Sequence, residues 1–197
     1  KYVNFFAEIF SNVKKTIFVG KERKGSVVTS IEPSVQLFLE KELLDVQDAW
    51  NSKLSGGIII DPKTGSIYAI ATSPSFDLNN YQEANSTSIF SNPLIEGIYE
   101  MGSIMKPLTM AIGIDSRAVS AKTTYYDSGV LSVDGYKISN FDGKGRGLVS
   151  MQEVLNQSLN TGAAFVAKET GTDVFGDYMK RLGFGEETGI DLPGEVP

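Results

Sequence analysis

The chain contains neither histidine nor cysteine. The first absence rules out a Ser-His-Asp triad and any histidine-ligated zinc site. The second removes thiol catalysis, disulfides and cysteine-bound metals. Nucleophilic chemistry in this chain therefore has to draw its base from Lys, Asp, Glu or Tyr. Lack of cysteine also fits an exported bacterial protein. No run of about 18 apolar residues occurs, so no segment reads as a membrane span, and the start at Lys1 carries no signal-peptide pattern. With 18 basic against 24 acidic side chains, the net charge is −6. An acidic balance argues against a nucleic-acid partner, which asks for a basic surface.

At 197 residues with 41% hydrophobic and 21% charged content, the chain is long enough for a domain with a sizeable core. Residues 1–25 hold Lys1, Lys14, Lys15, Lys21, Arg23 and Lys24 against Glu8 and Glu22. They read as a basic N-terminal helix or linker, with Val3, Phe5, Phe6, Ile9, Phe10 and Val13 at helical spacing over 2–13. Pro33 suits the first turn of a helix running towards Trp50. Gly56-Gly57-Ile58-Ile59-Ile60 and Ser66–Ala71 read as two strands. Between them, Asp61-Pro62-Lys63-Thr64-Gly65 has the composition of a hairpin turn. Residues 73–93 read as an irregular connection, and a helix is expected from about Ser103 to Ile114. The stretch 120–147 shows short alternating pieces at Val130–Val133 and Tyr136–Ile138. Ser150 with Glu153 forms a capping-box pattern. Helices follow over about Asn160–Glu169 and Asp173–Leu182, and Gly183–Pro197 reads as a loop.

Two short patterns carry chemistry. Ser103-Ile104-Met105-Lys106 places a hydroxyl and an amine three residues apart, on one helix face. A helix start favours negative charge developing beside it. A free lysine is a poor base, because its pKa lies near 10.4. Burial beside Met101, Met105 and other apolar groups would favour the neutral amine, which could take the Ser103 proton during attack on a carbonyl. The pattern alone is weak, since about one chance match is expected in a chain this long. Ser11-Asn12-Val13-Lys14 is such a match. The second pattern, Ser158-Leu159-Asn160, is the sole Ser-x-Asn in the sequence. Ser158 could relay a proton and Asn160 could hold a substrate amide. Taken by itself, helix capping is the better account of both residue types.

Taken together, these residues resemble the penicillin-binding transpeptidase family, whose signatures run Ser-x-x-Lys, Ser-x-Asn and Lys-Thr-Gly. Gly56–Gly65 is similar to the family's first hairpin, and Pro74-Ser75-Phe76-Asp77 with Asn79 to the segment after it. Tyr99-Glu100-Met101-Gly102-Ser103 resembles the approach to the nucleophile. Asp127-Ser128-Gly129, Asn140, Gly147, Ser158–Gly162 and the Gly183–Glu195 stretch follow in the family's order. The likeness runs over roughly 26–197, which would form the N-terminal part of a transpeptidase domain. It is nearest the class B, monofunctional branch, which acts in cell elongation or division.

The resemblance implies an α/β (α+β) fold of the penicillin-binding transpeptidase and β-lactamase type. In that fold a central antiparallel sheet carries helices on both faces. It implies D,D-transpeptidation through a serine acyl-enzyme, with β-lactams acylating the same serine. Ser103 would be nucleophile, Lys106 base, Ser158 proton relay and Asn160 a substrate contact. Thr161 and Gly162 would line the substrate beside it, and the Ser103 backbone N–H would serve the oxyanion. No cofactor or metal is implied. Expected partners are D-Ala-D-Ala stem peptides, β-lactams, a glycosyltransferase and cell-wall assembly proteins. The expected place is the outer face of the bacterial cytoplasmic membrane, with an anchor upstream of Lys1. Two departures stand out. Lys63-Thr64-Gly65 precedes Ser103 and reads as a turn, so the catalytic copy would follow Pro197, and Met101 stands where the family usually has proline. A serine β-lactamase and a non-catalytic penicillin-recognising scaffold are the alternative readings.

Overall fold

The computed structural model describes residues 28–196 except Leu78, Ala84, Asn85 and Asp134. The helix expected over 2–13 and the basic stretch 1–25 lie outside the described residues. What is described falls into two compact units, divided between Ser75 and Phe76.

The first unit is a helix on a hairpin. Helix α1, Pro33–Trp50, opens with proline in its first turn, where a missing N–H costs nothing, and ends at Asn51 in the left-handed region (φ 49°). Strands β1 (Ser55–Ile60) and β2 (Ile67–Ser73) pair antiparallel, with Ile58 opposite Ile70. The turn between them is built as its composition predicts. The Gly65 N–H donates to Asp61 O at 2.8 Å, and the Asp61 carboxylate accepts from Lys63 N and Thr64 Oγ1, each at 2.9 Å. Lys63-Thr64-Gly65 is thus a turn element, with Gly65 at φ 76°.

A two-stranded sheet would leave its outer backbone groups open, yet side chains cover part of β2. The Gln36 amide accepts from Ile70 N (2.9 Å) and donates to Ile70 O (3.0 Å), standing in for a neighbouring strand. Ser30 Oγ donates to Ile67 O and Glu32 N to Tyr68 O. Gly57 lets α1 approach closely, because a β-carbon there would lie 3.1 Å from Leu39 Cδ1.

The second unit holds the short helix α2 (Pro93–Glu96), a 3₁₀ turn at Gly102–Ile104 and helix α3 (Met105–Asp115). It continues through β3 (Thr124–Asp127), β4 (Val130–Val133), β5 (Tyr136–Ser139) and β6 (Gly147–Ser150). Helices α4 (Met151–Asn156), α5 (Asn160–Thr170) and α6 (Thr172–Arg181) follow. β3 pairs antiparallel with β6, and the hairpin β4–β5 is inserted between them. Met110, Val119, Tyr125, Met151, Val154, Leu159 and Val166 form the core. Within it the Tyr125 and Phe165 rings stack at 5.2 Å.

Two local readings are sharpened. The helix expected from Ser103 begins as a 3₁₀ turn, in keeping with Pro107, which has no N–H to offer Ser103 O. Ser150 does cap α4, its hydroxyl accepting from Glu153 N at 3.4 Å. The Glu153 carboxylate, however, accepts from Asn156 and Gln157 instead of closing a capping box.

Candidate active site

Helix α3 buries Lys106, Met110, Ile112 and Gly113, of which Lys106, Met110 and Gly113 fall at i, i+4 and i+7 on one stripe facing the core. Lys106 therefore occupies a core position at the first turn of a helix, and only 9% of it is exposed. Ser103 precedes it by one turn and is exposed. Gly102 adopts φ 62°, which brings the chain sharply into that turn.

Ser158 reaches the same point from the end of α4. Leu159 N donates to Val154 O (2.9 Å) and Ser158 N to Leu155 O (3.2 Å). These are the two bonds of a Schellman closure, with Ser158 in the left-handed position at φ 52°. Leu159 and Val154, both wholly buried, supply the apolar contact that accompanies such a closure. The sharp reversal turns both the hydroxyl and the carbonyl of Ser158 towards Lys106.

The result is a closed polar cluster. The Lys106 amine donates to Ser103 Oγ at 2.9 Å, Ser158 Oγ at 2.8 Å and Ser158 O at 2.7 Å. Ser158 Oγ–H donates to Ser103 Oγ at 3.1 Å. Burial pushes the Lys106 amine below the usual lysine value, since desolvation disfavours the ammonium. In the neutral state the same geometry lets Ser103 O–H donate to Nζ while Nζ donates to both Ser158 acceptors. An exposed hydroxyl is then held against an amine that is neutral, and so free to accept a proton, at lower pH than an ordinary lysine. A second hydroxyl bridges the two.

Sequence reasoning grouped Asn160, Thr161 and Gly162 with this cluster, and the structure separates them from it. Asn160 is half-buried, and its Nδ2 donates to Ser139 O at 2.9 Å. Among the described residues it bonds to none of Ser103, Lys106 and Ser158. Thr161 is 2% exposed, and Gly162 is buried with its Cα facing Val154 and Tyr125. Helix geometry accounts for their burial: successive residues of α5 point about 100° apart, so an outward Asn160 sends its two followers inward. Met101, expected beside the amine, is half exposed.

Sequence reasoning gave no role to a buried network behind the cluster. Asp127, 1% exposed, accepts from Gly129 N and Asn140 Nδ2 (each 2.9 Å), Arg146 N (3.1 Å) and Thr161 Oγ1 (2.8 Å). The signal available was an Asp-x-Gly turn followed by an isolated Asn-x-x-Gly, each a local turn pattern. Nothing local in either says that they meet.

A serine hydroxyl, a buried lysine amine and a second serine hydroxyl thus stand in mutual contact on an α/β scaffold. Residues 56–197 match the family described as "Penicillin binding protein transpeptidase domain", and the chain belongs to that family. It is 30% identical over 167 residues to "Stage V sporulation protein D" of Bacillus subtilis, covering 84% of this chain and 26% of that protein. It is 30% identical over 151 residues to "Peptidoglycan D,D-transpeptidase MrdA" of Acinetobacter baumannii, covering 70% of this chain and 22% of that protein. The chain thus spans about a quarter of the length of these relatives. Among solved structures it resembles Pseudomonas aeruginosa PBP2 in complex with WCK 5153. The TM-score there is 0.72 at 27% identity, over 86% of this chain and 40% of that one. A Burkholderia ambifaria peptidoglycan glycosyltransferase, at 22% identity and TM-score 0.72, covers 86% of this chain and 49% of its own and supports the fold alone. These relatives agree with the class B branch and with the incomplete α/β fold expected from sequence.

Proposed function

We propose that this chain carries the acyl-transfer centre of a peptidoglycan D,D-transpeptidase. The observation that carries the reading is the three-way contact of Ser103 Oγ, Lys106 Nζ and Ser158 Oγ. Neutral Lys106 takes the Ser103 proton as Oγ attacks the carbonyl carbon of the penultimate D-alanine of a stem peptide. The Ser103 backbone N–H, in the first turn of the 3₁₀ segment where no intrahelical acceptor exists, faces the developing oxyanion. The intermediate collapses by breaking the C–N bond. Ser158 passes the proton from Lys106 to the leaving D-alanine nitrogen, and an ester on Ser103 remains. An acceptor amine then attacks the ester, gives its proton back through the same pair, and restores the Ser103 hydroxyl.

Asn160 takes a substrate role through Oδ1, which can accept an amide N–H while Nδ2 is held by Ser139 O. β-Lactams acylate Ser103 by the same first step. The work belongs to the cell envelope, at the outer face of the cytoplasmic membrane where peptidoglycan is built, with glycan-polymerising and assembly proteins as partners. Among the described residues no carboxylate hydrogen-bonds to Ser103, Lys106, Ser158 or Asn160. A hydrolytic β-lactamase, which needs a positioned deacylating base, is therefore the less favoured reading.

The test is incubation of the full-length protein with a labelled penicillin, followed by peptide mass spectrometry. A stable adduct on Ser103, lost in Ser103→Ala, is the expected outcome. No adduct, or an adduct on another residue, overturns the assignment.

A further inference from the structure

Ser158 holds its position through two attachments, one on either side. The Schellman closure of α4 fixes it from upstream. Downstream, the first turn of α5 has free N–H groups and no cap from its own N-cap residue, Leu159. The Thr161 N–H in that turn donates instead to Asn140 Oδ1, at 3.3 Å, a residue 21 positions earlier in the chain. Asn140 Nδ2 in turn donates to Asp127 Oδ2 at 2.9 Å and Lys144 O at 3.0 Å. That pattern fixes which way the amide faces. Thr161 Oγ1–H donates to Asp127 Oδ1 at 2.8 Å, and the Tyr125 hydroxyl, 3.2 Å away, can donate to Thr161 Oγ1. Burial pushes the Tyr125 phenol up, which keeps it a donor. Asn160 Nδ2 to Ser139 O adds a further tie in the same place. The segment 139–140 is therefore stitched to 160–161 on both sides of the backbone.

We propose that Asp127 and Asn140 are positioning residues for the acyl-transfer centre: Asn140 caps α5 from outside, Asp127 anchors both Asn140 and the Thr161 hydroxyl, and together they hold the Ser158 hydroxyl and carbonyl against the Lys106 amine. A cap from another part of the chain is an unusual use of two buried polar groups. An apolar pair would pack as well without needing partners, whereas a half-satisfied pair is costly. Here every polar atom of Asp127 and Asn140 is engaged, and no buried side-chain polar atom among the described residues lacks a partner. Because the lock ends three residues from Ser158, loosening it moves the relay hydroxyl before it unfolds anything.

The inference rests on the acyl-transfer reading, and two measurements keep the two separable. The first is hydrogen exchange at the Thr161 amide, which needs no chemistry. Asn140→Ala is expected to speed it at least tenfold relative to the Val166 amide in the middle of α5. The second is the acylation rate of the full-length protein by a fluorescent penicillin, with the labelled fraction at completion read alongside. Asn140→Ala and Thr161→Val are each expected to slow acylation at least tenfold at unchanged final labelling. Thr161→Ser, which keeps the hydroxyl, is expected to lose far less than the isosteric Thr161→Val. A role in packing alone reverses that order, since valine fills the site better than serine. Unchanged exchange at Thr161 in Asn140→Ala overturns the lock whatever the acylation result. So does a Thr161→Val rate at or above that of Thr161→Ser. Wild-type protein that fails to label at Ser103 overturns the acyl-transfer reading, and with it the positioning role.

Discussion

Gly113 of α3, two turns along from Lys106, packs directly against Val166 of α5. A β-carbon added there would lie 2.4 Å from Val166 Cγ1 and 3.0 Å from Val119 Cγ2. Carbon atoms settle at about 3.5–4.0 Å, so α5 has to retreat by about 1 Å. Neither wall yields easily, because Val166 and Val119 are buried and β-branched side chains have few alternative rotamers. Overpacking of this kind costs about 1–3 kcal/mol, and alanine returns about 1 kcal/mol of helix propensity over glycine. With both walls rigid, the net loss for Gly113→Ala is about 1–2 kcal/mol. Carried along α5 to the N-terminus that adjoins Ser158, the same retreat stretches the Lys106 to Ser158 Oγ contact of 2.8 Å beyond hydrogen-bonding distance. Loss of one such bond corresponds to about tenfold in acylation rate. Gly176 in α6 is the control, since a β-carbon there meets nothing within 4 Å. Gly176→Ala should raise stability by about 0.4–1 kcal/mol. Urea melts of both variants, with penicillin acylation rates, make the comparison. A Gly113→Ala protein as stable as wild type would refute the account, as would equal behaviour of the two variants.

Other consequences are open to direct measurement. Lys106→Met should lower the acylation rate at least 10³-fold, read by fluorescent penicillin labelling, because the amine held 2.9 Å from Ser103 Oγ is gone. In the wild type the acylation rate should rise with pH through the lowered Lys106 value and then level off. The sign for stability follows: the unfolded lysine keeps its proton to higher pH than the folded one. Stability therefore rises with pH between the two values, and melts of Lys106→Met should lack that rise. Lys63→Ala should change acylation less than threefold, since Lys63 belongs to the hairpin turn. Glu195 accepts from Thr188 Oγ1, Thr188 N and Gly189 N. The Thr188 hydroxyl bond, first among these, holds its carboxyl below the usual range. The tie is present above the ordinary glutamate value and lost as pH falls through the lowered one. Amide exchange at Thr188 and Gly189 should accelerate over that acid interval, and at all pH values in Glu195→Ala.

Elements held by local rules were legible in the sequence. Pro33 at a helix start, the Asp61–Gly65 turn between two candidate strands, and Ser150 at the start of α4 each announced themselves within one window. β3 and β6 did not, because each is four residues long and its partner lies across an inserted hairpin. The cluster itself was legible from joint motifs, since an i, i+3 serine and lysine need only a helix to meet. The burial of Thr161 and Gly162 was not legible from their adjacency to Asn160, because a helix turns neighbours to different faces. The Asp127–Asn140 lock was invisible for a different reason. Buried polar groups find their partners through the tertiary fold, and no spacing rule records which ones meet.

The left-handed backbone at Ser158 restricts which residues can stand there more tightly than its chemistry does. A relay asks only for a hydroxyl, and threonine has one. Yet a second heavy atom on Cβ is poorly tolerated at φ 52°. Glycine and asparagine, which suit the conformation, bring no hydroxyl. The backbone selects one list of residues and the proton transfer another, and serine is the residue common to both. Ser158→Thr should accordingly behave as a backbone variant, displacing the carbonyl that faces Lys106 while leaving the functional group in the sequence.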